Sequence, residues 1–183
     1  MLHLGTTIRE DRVIMARASR TSTTSRFRVQ SIGVVRRPGT GETQPGEFFD
    51  PWQESVLAID PRWEAGLDGL EGFSHLVVLF FLDRAPRRRT VGQPRRPESH
   101  PETPAVGFFA TRTPKRPNPI GIACPRLIRR EGNRLIVAGI DAWDGTPILD
   151  IKGYFLRDEQ RLDATVPDWL QRLWASHDAD ETR

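Results

Sequence analysis

Cysteine is almost absent from this 183-residue chain, and so are tyrosine and methionine. The lone Cys124 excludes an internal disulfide, and no Cys/His group has zinc-ligand spacing. No apolar run approaches the ~18 residues of a membrane-spanning helix, and the mean hydropathy is −0.49. A strand–GxGxxG–helix unit is also missing, which excludes a Rossmann-type nucleotide site. Ser74 lacks the GxSxG surroundings of a hydrolase nucleophile, and no Ser/His/Asp arrangement is readable. What the chain has instead is punctuation. Fifteen glycines and 15 prolines argue for short strands and turns over long helices. With 37% hydrophobic residues the chain can bury the core of one ordinary domain.

The formal net charge of +3 conceals a strong segregation. From Arg84 to Arg130 there are 12 Lys/Arg against Glu98 and Glu102, a local charge of +10. Residues 1–28 hold six Arg against Glu10 and Asp11, so the remainder of the chain sums to −11. A basic stretch of this kind marks a surface that meets a polyanion, most often nucleic acid. The plainer alternative is a solvated loop in an arginine-rich proteome, since 25 of the 27 basic residues are Arg.

Three segments follow from the pattern. Residues 1–26 are Ser/Thr/Arg-rich in their second half and read as a disordered extension. Residues 27–157 carry the strand signals: 27–35, 55–59, the most apolar run 73–82, 106–110, 120–130, 134–143 and 148–154. Glu131-Gly132-Asn133 reads as a three-residue hairpin turn. Asp60-Pro61 reads as the cap and first residue of a short helix. The Arg- and Pro-rich connection 83–104 is too long for a structural turn. Residues 158–183 hold a helix opened by Pro167, with Trp169, Leu170, Leu173 and Trp174 on one stripe, and a polar tail. The fold class expected is mainly β, a compact barrel of short strands with one or two peripheral helices.

Three clusters could carry chemistry. Residues 110–121 contain three prolines in six positions, which stiffen a loop bearing Arg112, Lys115 and Arg116. Guanidinium groups on a stiff loop lose little entropy on binding phosphates, although a Pro-rich turn with incidental charges has the same pattern. Asp141, Trp143 and Asp144 close a strand, either as a plain Asx turn or as a receptor for a cation such as a sulfonium. His75 enters the most apolar strand and reads as a hydrogen-bonded core residue, and Cys124 as an inert strand residue.

In order and separation, Ile32-Gly33-Val34-Val35, Gly72-Phe73-Ser74-His75-Leu76, residues 109–121 (FATRTPKRPNPIG) and residues 144–154 (DGTPILDIKGY) resemble the TrmO family, also called TsaA-like. The resemblance covers roughly residues 29–155. It implies a homodimeric β-barrel enzyme of the cytoplasm, using S-adenosyl-L-methionine and needing neither metal nor membrane. Its reaction would be methyl transfer to N6 of the threonylcarbamoyl-modified adenosine beside the tRNA anticodon. Carried over by position, the cofactor pocket would use Gln44, Pro45, Gly46, Asp83, Arg84, Arg112, Ile122, Ile140 and Asp141. Asp144 and Asn118 would orient the adenine amine, Arg112 would pair with a carboxylate, and Lys115, Arg116, Arg88 and Arg95 would meet anticodon-loop phosphates. The chain departs from the family at Asp83-Arg84, where His-Gln is common, and at Gly153, where Pro is usual. Those departures keep open a related barrel methyltransferase acting on another amine. A non-catalytic RNA-binding barrel is the alternative from a different class.

Overall fold

Valine, isoleucine and leucine in short alternating runs, cut by glycine and proline, produce seven strands in the computed structural model, which describes residues 28–37, 50–90, 92–100 and 102–181. The strands are β1 (Gly33–Arg36), β2 (Glu54–Ile59), β3 (Leu76–Phe81), β4 (Ile120–Ala123), β5 (Arg126–Glu131), β6 (Arg134–Ala138) and β7 (Pro147–Gly153). Every pairing is antiparallel, in the order β4-β3-β7-β1-β2-β6-β5. Val35, Leu57, Leu76, Val78, Leu135, Val137 and Ile148 fill the interior with Ile59 and Phe80.

The fold is mainly β and barrel-like. Its ladder is open, but the two edge strands are consecutive in the chain, joined across Cys124-Pro125. Pro125 lacks an N–H and interrupts the expected strand 120–130, so the chain bends there and changes partners. Past the bend, Leu127 N–H donates to the Ser74 carbonyl at 2.8 Å and Leu76 N–H to the Pro125 carbonyl at 3.0 Å. A bridge between His75 and Arg126 brings the start of β5 onto the start of β3, curling the sheet on itself.

Other expectations are corrected by local chemistry. Residues 106–110 are no strand. Val106 only bridges to Arg95, and Phe108–Ala110 form a 3-10 turn after Gly107. The hairpin turn is two residues long, because Glu131 pairs directly with Arg134, and Gly132 sits at φ +59°. Glycine at the first of two turn positions suits the twist of a hairpin. β6 ends at Ala138 because Gly139 takes φ +84°. The expected cap at Asp60 forms, its carboxylate accepting from Arg62 N–H at 3.1 Å over a 3-10 helix, Pro61–Leu67. His75 is exposed rather than in the core, since β3 starts one residue later with Leu76, Val78 and Phe80 facing in. Cys124 is also exposed, at the break after β4.

Two α-helices follow, α1 (Leu156–Glu159) and α2 (Asp168–Glu181). Leu173 on the apolar stripe of α2 is buried, while Trp174 is half exposed. α2 packs on the long connection: Trp169, Arg172, Leu173 and Ser176 line a cleft with His100, Glu102 and Thr103, and His177 lies 2.9 Å from Glu98. Residues 1–27, which include the expected extension, lie outside the described residues.

Candidate functional site

Three strand ends meet at the entry to β7. After β6 the chain alternates, with Ile140 and Ala142 buried and Asp141 and Trp143 exposed. Gly145, at φ +83°, then turns the backbone so that its N–H donates to the Val35 carbonyl at 2.8 Å. That turn sets Asp144 against the end of β1. Its Oδ1 accepts from the Arg37 N–H at 3.0 Å, and its Oδ2 lies 3.5 Å from the Arg36 guanidinium. From the end of β3, Arg84 donates to the Asp144 carbonyl at 3.3 Å and lies 5.5 Å from the centre of the Trp143 ring. Asp144, Trp143 and Arg84 are thereby joined into one corner, and Trp143 stays 43% exposed.

The second part is the Pro-rich loop and the arginine-rich segment zipped to it. Arg95 and Val106 exchange two backbone bonds of 3.0 Å, and Arg88 N–H donates to the Arg116 carbonyl at 3.1 Å. The Arg88 side chain donates to the Lys115 carbonyl at 3.3 Å and covers the Phe108 ring at 4.9 Å. Arg116 turns inward across its own loop. Its Nη1 donates to the carbonyls of Phe108 at 3.1 Å and Thr111 at 2.8 Å, and its guanidinium lies 5.6 Å from the Phe109 ring centre. Pro119 is fully buried and Leu82 N–H donates to its carbonyl at 2.8 Å, which roots the loop in the barrel and leaves Asn118 exposed beside it.

The remaining candidates separate. Ile122 points outward from β4 and is 57% exposed, with Ile120 exposed on the same edge strand and Cys124 just past its end. Arg112 acts on Cys124, where partial desolvation and then the negative field of Glu159 push the thiol up and Arg112 opposes them. Ile140 is a core residue with its side chain turned away from solvent. Asp83 and Lys115 are exposed. Gln44, Pro45 and Gly46 lie outside the described residues. Sequence reasoning gave no role to Phe108 or Phe109, although aromatics interleaved with Arg112 and Arg116 were a readable signal. Among the described residues, no group of His, Cys, Asp and Glu is placed to hold a metal ion, and no helix is long and apolar enough to cross a membrane.

Comparison with known proteins adds three relatives and one family. Residues 43–159 match the family model described as the tRNA-methyltransferase O N-terminal domain. A probable S-adenosyl-L-methionine-binding protein of Archaeoglobus fulgidus is 42% identical over 127 residues, covering 69% of this chain and 33% of that protein. A mouse tRNA (adenine(37)-N6)-methyltransferase is 34% identical over 119 residues, covering 65% of this chain and 27% of that protein. The crystal structure of TrmO from P. aeruginosa superposes with a TM-score of 0.58 at 30% identity, covering 79% of this chain and 62% of that one. This chain thus spans less than two thirds of each of these three proteins.

Proposed function

The chain belongs to the TrmO family, and from that premise we propose that it methylates tRNA with S-adenosyl-L-methionine, at N6 of the threonylcarbamoyl-modified adenosine beside the anticodon. The observation that carries this reading is the corner where Arg84, Trp143 and Asp144 converge beside a basic, internally braced loop. The residues present suit the cofactor. The half-exposed Trp143 ring, which already carries the Arg84 guanidinium, and the carboxylates of Asp141 and Asp144 are groups of the kind that favour a sulfonium, and Ile122, apart from them on β4, would offer an apolar surface to an adenine ring. When bound, the cofactor supplies an electrophilic methyl group.

The chain's own residues then have to orient an amine rather than activate one. In this reading Asn118, exposed beside the buried Pro119, accepts from the adenine amine, and Asp144, whose Oδ1 is held by the Arg37 N–H, aligns it. The amine needs alignment more than a strong base, because it loses its proton readily once the new bond forms. Arg112 pairs with a carboxylate of cofactor or substrate. Exposed Lys115, together with Arg88 and Arg95, which brace the loops, holds RNA phosphates. The chain works as a homodimer in the cytoplasm, where tRNA is the substrate.

The test is incubation with methyl-labelled S-adenosyl-L-methionine and total tRNA from cells with and without the threonylcarbamoyl modification. Label is expected in the modified pool alone. Label in both pools would assign another amine, and RNA binding with label in neither would leave a non-catalytic barrel. Asp144→Ala should lower turnover about a hundredfold or more while RNA affinity holds.

A further inference from the structure

We propose that Phe109 is a stacking platform for one unpaired base of the RNA substrate, an inference that rests on the tRNA reading above. Of two consecutive phenylalanines, Phe108 is half-buried and covered by Arg88, whereas Phe109 is 76% exposed, more than any other described Phe. A single exposed ring needs no occupant by itself, but one held on a braced loop beside a guanidinium is a surface ready for a flat partner. The mount is rigid. Ala110 N–H closes the turn onto the Gly107 carbonyl at 3.0 Å, the Thr111 hydroxyl bonds the Phe108 carbonyl at 3.0 Å, and Arg116 ties Phe108 to Thr111. The backbone beneath the ring is therefore set before any partner arrives, and binding has only the two side-chain torsions of Phe109 left to order.

Charge selects the occupant. No acidic residue occurs between Glu102 and Glu131, and Arg112, Lys115 and Arg116 follow Phe109 within seven positions. Arg116 approaches the Phe109 ring, Arg88 the Phe108 ring and Arg87 the Phe81 ring at 5.2 Å, so each of these aromatics has a guanidinium beside it. An exposed aromatic plane beside a guanidinium, on a loop with further cations, fits a partner that offers a π-face and a phosphate within one repeat unit. A nucleotide is that partner, and only an unpaired base exposes its face.

The experiment uses a tRNA anticodon stem-loop in which 2-aminopurine replaces single loop bases in turn. Binding of the wild-type chain should quench the fluorophore strongly at one loop position. Phe109→Leu should abolish that quench and weaken RNA binding about five- to a hundredfold, whereas Phe109→Trp should keep both. Because no charge is removed, the dependence of affinity on salt should be the same for all three proteins. Near-ultraviolet circular dichroism of Phe109→Leu checks that the exposed substitution leaves the fold intact. Wild-type affinity and quench in Phe109→Leu would overturn the platform alone. So would an unchanged RNA affinity accompanied by weaker S-adenosyl-L-methionine binding in calorimetry, or by loss of a dimer in sedimentation. A wild-type chain that does not bind the stem-loop would overturn the tRNA reading and the platform with it.

Discussion

A methyl group added at Gly33 would collide with the Ala58 carbonyl oxygen and stand 2.8 Å from the Ile59 Cα. Both obstacles are backbone of β2, whose neighbouring side chains are core, so the strand has no cheap way to yield. Gly33→Ala is expected to destabilise the fold by about 1–3 kcal/mol, read as a lower denaturant midpoint. Gly66→Ala, where a Cβ meets nothing within 4 Å, should stay within about 0.5 kcal/mol of the parent and serves as the control. At this scale the sequence was half legible. Gly33 was recognisable as part of a motif, and Asp60 as a cap, because cap chemistry is local. The reason for Gly33 was not readable, since it lies in a partner strand more than 20 residues away. Asp144 was legible as a site residue, yet its attachment to the Arg37 N–H depends on how β1 and β7 pair.

At the scale of elements, one arginine fastens the 3-10 turns to the sheet. The Arg130 side chain on β5 donates to Asp68 at 2.9 Å, Glu71 at 2.7 Å, the Glu64 carbonyl at 3.2 Å and the Gly132 carbonyl at 2.8 Å. The backbone hydrogen bond to its own N–H and then the bond from Arg130 hold the Glu71 carboxyl below its ordinary value. A carboxylate depressed in the folded state adds stability that is fully present above its unfolded value of about 4.3. That contribution disappears as pH falls through the lower folded value. Glu71→Gln should thus be less stable than the parent at pH 7 and converge with it in strong acid, as measured by urea midpoints across that range. Strands with clear alternation and the helix behind Pro167 were legible because period and punctuation are local signals. The turn at 108–110 carries a strand's pattern, since two phenylalanines look apolar and β-prone whether they face a core or water. The bend at Pro125 has a local signal in the proline itself, but the change of strand partners that follows it does not.

For the molecule as a whole, the +10 stretch was the most legible feature, but charge alone does not say which cations meet a ligand. Strand count and resemblance imply a barrel, but the contacts that bring its edges together, around Ser74, Pro125 and Arg126, are invisible to pattern. Lys115 and Arg116 are neighbours in sequence and opposites in structure. Lys115 is exposed, whereas Arg116 is half-buried and spends its Nη1 on two carbonyls. Loss of an exposed phosphate contact removes one released counterion, so Lys115→Ala should lower the salt slope of tRNA binding by about 0.7–0.9. Arg116→Lys separates the two roles, because lysine keeps the charge but cannot bridge Phe108 to Thr111 with a planar fork. If Arg116 acted as a phosphate contact, lysine would restore binding. The clamp geometry predicts otherwise: Arg116→Lys should bind tRNA as weakly as Arg116→Ala, with a salt slope near that of the parent and a loop that proteases cleave faster. Full affinity in Arg116→Lys would return Arg116 to the surface as an ordinary cation.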